Sequence, residues 1–409
     1  MSFRIALSGM NAASTDLEVT GHNIANASTN GFKQSRAEFG DLYANAMHDT
    51  AHNAAGRGVE VVRVAQQFSQ GSVEFTSNNL DLAISGQGFF VLNSPEGVTS
   101  YTRAGAYSVD REGYVVNHAN DRLQVYQAVT GAGGTTTFNA GILQDLRLQT
   151  STSTPSATSE VTALMNLNNA ETAIPGTTAF DPLDPTSFNN STSTTVFDSL
   201  GGAHTATLYF RKNAANTWES HAYINGTAAT GNPMAMTFDS STGALTSAAT
   251  NTISFTPTTG AAAQSVDIDF GGTTQFGAPF GVNNLSQDGF TSGRLAGVDI
   301  DTEGVVFARY TNGQSSALGK VAMAKFNNDQ GLRQTGDNIW TESFESGTAQ
   351  LGEAGTSSFG QVQSGALESS NVDVAEQLVN LIMAQRNFQA NAQVIQTSDQ
   401  ITQAIINLR

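Results

Sequence analysis

The sequence predicts a mainly β protein whose β-domains are nested and discontinuous and lie between two α-helices, one at each chain end. Three observations carry this. Both ends repeat apolar residues every seven positions, as paired helices do. The long middle alternates apolar and polar residues between Gly- and Asn-rich turns, as half-buried strands do. A Ser/Thr-rich stretch, "TSTSTPSATS" (Thr150–Ser159), interrupts the β texture as a linker would.

The first helix is read from Phe3, Met10, Leu17 and Ile24, which share one heptad position, while Leu7, Ser14 and Gly21 share the other. The first register is wholly apolar and the second mixed, over about three heptads. The helix runs into "NIANASTNGFKQ", which begins at Asn23. Asn side chains bond back to nearby backbone, and Asn and Gly accept the left-handed angles that stop helices.

Strands follow. "SVEFTSNNLDLAISGQGFFVLNS" and "YTRAGAYSVDREGYVVNHANDRLQVYQ" alternate, and related texture returns late in "RLAGVDIDTEGVVFARYTNGQ". Both stretches hold a strand, a "DREG" or "DTEG" turn and another strand. One β-domain made of residues 72–146 and 285–349 is therefore expected. Further short strands such as "TATLYFRK" and "TWESHAYI" reach to about Asn284, so residues 147–284 are expected to form an inserted outer β-domain. Residues 31–71 and 350–365 connect these to a terminal helical domain, 1–30 and 366–409.

The closing helix is expected over residues 372–409, with no Gly or Pro and with Asp373 in its first turn, where the helix dipole favours it. Val374, Leu381, Phe388 and Ile395 share one register, and Leu378, Ala392 and Ile406 the other. Val394, Ile401, Ile405 and Leu408 form a second strip on another face. Most remaining positions are Gln or Asn, where a solvated helix would show Glu and Lys. Amides are satisfied between packed helices without the desolvation cost of unpaired charge. The helix is therefore expected to contact several others.

The net charge is −17, of which residues 1–70 hold −1 and residues 365–409 hold −2, leaving −14 to the middle. So acidic a chain argues against nucleic acid or an anionic membrane as partner. There are no cysteines, hence no disulfide or thiolate chemistry. No apolar run reaches the roughly 20 residues of a membrane span, and the first fifteen residues lack the apolar core of a cleavable signal peptide. "HDTAH" sets His48 and His52 four apart, but with Asp49 for the Glu of a zinc-protease helix and no third ligand; a solvated loop is the expectation. "DIDTEG" (Asp299–Gly304) opens like a calcium loop but has Tyr310 at the twelfth position, so a β-turn is expected. No phosphate loop, dinucleotide fingerprint or nucleophile elbow occurs. No catalytic, cofactor or metal residue is assigned.

The ends also carry a resemblance. "SGMNAASTDLEVTGHNIANASTNGFKQSRAEF" resembles the N-terminal pattern of the bacterial flagellar rod and hook family of axial proteins, at Asn23, Ile24, Ala25, Asn26, Thr29, Gly31, Phe32 and Lys33. "LDLAISGQGFFVL" and "YTRAGAYSVDREGYVV" look like the family's next segments, and the last 45 residues, through Asn-Leu-Arg, like its C-terminus. The likeness covers roughly the first 145 and last 125 residues. Rod members lack a large insert, so 147–284 implies the hook branch. The resemblance implies a flexible hollow helical filament, a universal joint between motor rod and flagellar filament. Its subunits would pack their terminal helices as an inner tube. It further implies export through the flagellar type III apparatus without a cleaved signal, and partners in a second copy of the chain, the distal rod protein, the hook cap protein and the hook–filament junction protein. It implies no nucleic acid, membrane insertion or cofactor. The expected assembly seam is Phe3, Leu7, Met10, Leu17, Ile24, Val374, Leu378, Leu381, Phe388, Ile395 and Ile406, and the expected hinge is Asn23, Asn26, Thr29, Gly31, Phe32 and Lys33. Two alternatives share part of the pattern: a distal rod protein, rigid and straight, and a non-flagellar surface adhesin or glycan-processing enzyme with Ser/Thr-rich β-domains.

Overall fold

The computed structural model describes residues 2–42, 56–130, 136–148, 152–356 and 358–407. His48, His52 and Leu408 lie outside the described residues. The chain divides into two units. The first comprises Met1–Gln149, Gly297–Ala308 and Ser316–Arg409; the second comprises Thr150–Ala296 and Arg309–Ser315.

The first unit holds both helices, α1 (Ser2–Ala25) and α2 (Val374–Asn407). α1 stops where its Asn-rich end begins. The Asn26 N–H donates to the carbonyls of His22 and Asn23, and the Asn26 side-chain amide donates to His22 O at 2.9 Å. The final turn is thereby tightened and its free carbonyls are satisfied. Asp373 caps α2: its Oδ1 accepts the N–H of Ala375 at 2.8 Å and of Glu376 at 3.2 Å.

An antiparallel hairpin, Ser35–Asp41 with Val59–Gln66, follows α1 and packs on it. Its register shifts between Glu38 and Phe39, one bulge in an otherwise regular ladder. The main sheet of the unit interleaves early and late chain. Strand Ser315–Lys325 pairs with Arg122–Thr130 and with Phe89–Asn93, which continues through Thr99–Thr102 to Ile339–Thr341 and Arg333–Gly336. Under this sheet Phe89, Tyr101, Tyr126, Phe326 and Trp340 are buried, with Phe68 packed against them. The rings of Phe68, Phe89, Tyr101, Phe326 and Trp340 meet edge-on at 4.8 to 6.0 Å, the geometry the ring quadrupoles favour. The "DTEG" segment is a β-turn, in which Asp301 Oδ1 accepts the N–H of Glu303 and Val305 while Gly304 takes φ +80°.

The second unit contains two five-stranded sheets. One centres on Glu160–Asn168, the other on Ala203–Ala214 and Thr217–Ile224. Alternation decides which side chains point inward: Val161, Ala163, Met165 and Leu167 from the first sheet share a core with Leu208, Phe210, Trp218 and Ala222 from the second. The fold is mainly β with the two terminal helices packed together.

Candidate functional site

The candidate site is the terminal helix pair with the clamp that fixes it to the β-unit. Two contacts set the pairing. Asn23 Nδ2 donates to Gln377 Oε1 at 3.1 Å, and Gly9 lies against Asn391, so close that an added Cβ would sit 2.7 Å from its Oδ1. Fourteen residues separate the contact points on either helix, which makes the pair antiparallel and in step. Along α2 one covered stripe is Gln377, Leu381, Ala384, Phe388, Asn391, Ile395 and Ser398, alternating by four and three, with Asn380 and Ala392 half-buried at its edges. Along α1 the matching stripe is Ala6, Gly9, Ala13, Asp16, Thr20 and Asn23, alternating by three and four, with Ala12 buried beside it. Both are heptad stripes. The α1 stripe is built from small and polar residues, which let the helix backbones approach closely.

This register divides the residues that the sequence marks. Leu381, Phe388 and Ile395 are half-buried in the stripe facing α1. Val374, Leu378 and Ile406 are exposed, as are Phe3 and Leu7; Met10, Leu17 and Ile24 are half-buried beside the α1 stripe. α2 thus has apolar surface beyond what α1 covers. Val374, Leu378 and Ile382, four apart, form one open flank. Val379, Met383, Val394 and Ile401 form another on the opposite side. Gly9 lies opposite Asn391, so α1 begins opposite about residue 398. Asp399–Asn407 therefore run past it, about 13 Å of helix.

The clamp joins chain segments more than 250 residues apart. Lys33 and Glu368 have fully buried side chains and meet at 2.5 Å. The Lys33 ammonium also donates to Ser69 O at 2.8 Å. Glu368 further accepts the Gly71 N–H at 2.9 Å and Arg103 Nη1 at 3.2 Å, and Arg103 Nη2 reaches Gly86 O at 3.0 Å. Burial pulls Lys33 below its ordinary range, and the Glu368 carboxylate works against that pull. Asn23 takes Ser35 on both sides, donating to its carbonyl at 2.7 Å and accepting its N–H at 2.8 Å. Asn371 does the like, accepting the Gln34 N–H at 2.7 Å and donating to Gln67 O at 2.8 Å. Gly31 has φ +69°, and an added Cβ would lie 2.5 Å from the Ala104 nitrogen, so only glycine fits. Phe32 is buried with its ring 5.5 Å from that of His22. Asn26 holds the helix end, and Thr29 is exposed on the turn, its hydroxyl on Asn26 Oδ1.

Glu368, Arg103, Asn371 and Gln377 are essential to this arrangement, yet reading the sequence gives them no role. Each stands inside a recognisable segment, but no local pattern reveals which distant group it meets.

Antiparallel terminal helices clamped to a β-sheet of early and late strands agree with the axial structural proteins of the flagellar rod and hook. Four family profiles match in chain order. "Flagella basal body rod protein" covers residues 3–33, "Flagellar hook protein FlgE/F/G D1 domain" 83–158, "Flagellar basal body protein FlaE D2 domain" 166–290, and "Flagellar basal body rod FlgEFG protein C-terminal" 363–408. The chain is 37% identical to the flagellar hook protein FlgE of Salmonella typhimurium and to that of Escherichia coli, over the whole of both chains in each case. It is 31% identical to FlgE of Borreliella burgdorferi over 98% of each. The chain belongs to the flagellar hook protein FlgE family and is a structural subunit of the flagellar hook. The crystal structure of Helicobacter pylori FlgE2 shares the fold, with TM-score 0.54 at 16% identity over 72% of this chain and all of the other. No helix among the described residues is long and apolar enough to cross a membrane.

Proposed function

We propose that the chain polymerises through its terminal helices, which pack side by side as the inner tube of the hook while the β-units face outward. The observation that carries this is the pair of open apolar flanks on α2. A helix covered on one side by α1 and apolar on two further sides is suited to neighbours on both. The assembly seam then comprises Phe3, Leu7, Val374, Leu378 and Ile406 toward other subunits, with Met10, Leu17, Ile24, Leu381, Phe388 and Ile395 supporting the pair within one subunit. Asn23, Asn26, Thr29, Gly31, Phe32 and Lys33 redirect the chain from tube to β-unit.

In this reading the chain has four parts, with residues 31–71 and 350–365 joining the helical domain to the inner β-domain and 147–284 outermost. Function is mechanical and not catalytic. Cohesion lies in the helical seam, and the acidic β-units meet through weak polar contacts that slide as the hook bends. Subunits leave the cell through the flagellar type III apparatus. The distal rod, the hook cap and the hook–filament junction protein are the partners at the filament's ends and tip. Uncharged Gln and Asn on α2 suit a channel through which unfolded chains pass.

The test is Ile382→Asp, on an exposed flank. It is expected to abolish sedimentable tubes while leaving the thermal transition of the monomer unchanged. Normal tubes would remove the seam from this face.

A further inference from the structure

Beside the helix pair, α1, α2 and the hairpin enclose a groove of about 330 Å³. Its walls are mostly small or apolar, Gly9, Ala12, Ala13, Phe39, Val59 and Ala390, with the amides of Asn387 and Asn391 beside them. One charge lies among them, Asp16, which makes no side-chain hydrogen bond or ion pair among the described residues. Burial raises its carboxyl above the ordinary range. A second feature of the same unit complements this. Arg386 is exposed on the face of α2 turned away from α1, likewise without a side-chain partner among the described residues, and Val379, Ile382 and Met383 flank it within two turns.

We propose that the groove receives the outward face of α2 from a second copy of the chain, with Arg386 of that copy paired to Asp16. This rests on the helical seam proposed above and names the contact within it. An apolar occupant without a cation would strip the remaining water from Asp16 and leave a buried carboxylate unpaired, so the apolar walls and the lone charge together select an apolar ridge bearing one cation. The guanidinium is matched to the carboxylate and desolvates more readily than an ammonium. Groove and ridge are separate sets of residues, although Ala390 of the groove lies one turn from Arg386 on α2. Made head to tail, the contact leaves one groove and one ridge free at the ends of any oligomer and propagates as an open helical filament.

A charge exchange in the full-length chain tests the pairing. Asp16→Arg and Arg386→Asp are each expected to raise the critical concentration for polymerisation by about tenfold or more, as loss of a partly buried ion pair of about 1.4 kcal/mol would. The double exchange is expected to restore it toward wild type. Far-ultraviolet circular dichroism of each monomer checks that the helices persist, and Asp16→Asn replaces Asp16→Arg if they do not; it too is expected to raise the critical concentration. A double variant no better than the worse single variant, singles that polymerise normally, or rescue of Asp16→Arg by Arg4→Asp instead would overturn the pairing. If Ile382→Asp abolishes tubes while the exchange fails to rescue, the pairing falls and the seam stands. If Ile382→Asp polymerises normally, the seam itself falls.

Discussion

At the scale of single residues, the buried charges of the clamp dominate. Two charged side chains without solvent contact are tolerated because both are hydrogen-bonded as well as paired: Lys33 to Ser69 O, and Glu368 to the Gly71 N–H and Arg103, whose Nε alone is left buried without a partner in this cluster. Such a pair contributes little net stability compared with apolar residues of the same shape, but breaking it is costly. Lys33→Met leaves Glu368 buried with Arg103 as its remaining cation. The first unit is expected to lose about 3 kcal/mol, the low end for an orphaned buried charge. The two units can be followed separately, because Trp340 belongs to the first and Trp218 to the second. In a Trp218→Phe background, denaturant unfolding monitored by Trp340 fluorescence measures the loss. A change below about 1 kcal/mol would mean that the cluster relaxes around the missing ammonium.

At the scale of elements, the helix pair separates two kinds of apolar position. Phe388 is half-buried in the stripe facing α1, unlike Ile382 on the open flank. Phe388→Asp removes part of a phenyl burial and sets a carboxylate between the helices, about 2 kcal/mol or more against pairing. The monomer is expected to lose helical circular dichroism while the thermal transitions of its β-units stay in place, and tubes are expected to vanish. Retention of full helical signal would place Phe388 outside the intramolecular seam. The same contrast explains what was legible. The two helices could be read because Leu381, Phe388 and Ile395 recur by seven. Their register could not: four of the seven stripe residues on α2 are Gln377, Ala384, Asn391 and Ser398, and α1 contributes Ala6, Gly9 and Ala13. Hydrophobic periodicity does not register residues chosen for smallness. The strands were legible from alternation, whereas the clamp was not, because Lys33 and Glu368 are 335 residues apart.

At the scale of the whole molecule, the second unit is entered and left through paired backbone. The Ser153 N–H donates to Gly293 O at 2.7 Å, and Ser156 and Phe290 form an antiparallel bridge. The cut ends are therefore adjacent, and replacing residues 153–293 by a short Gly/Ser bridge requires no long span. The shortened chain is expected to polymerise, with altered tube curvature in electron micrographs. Absence of any tube would show that the outer unit carries contacts that assembly requires.

The clamp also acts as a check on completeness. Its hydrogen bonds join Asn23 to Gln377, 354 residues later, and Gln34 to Asn371, 337 residues later. A growing chain can fold the second β-unit locally, but it cannot complete the first unit's sheet or lock α1 in place until the late segments have been made, because contacts so distant in sequence close late. A chain truncated before residue 368 has no carboxylate for Lys33 and no partner helix for α1. Such a fragment remains unlocked at its N-terminus, so the order in which the chain is finished bars incomplete copies from the polymer without any external inspector.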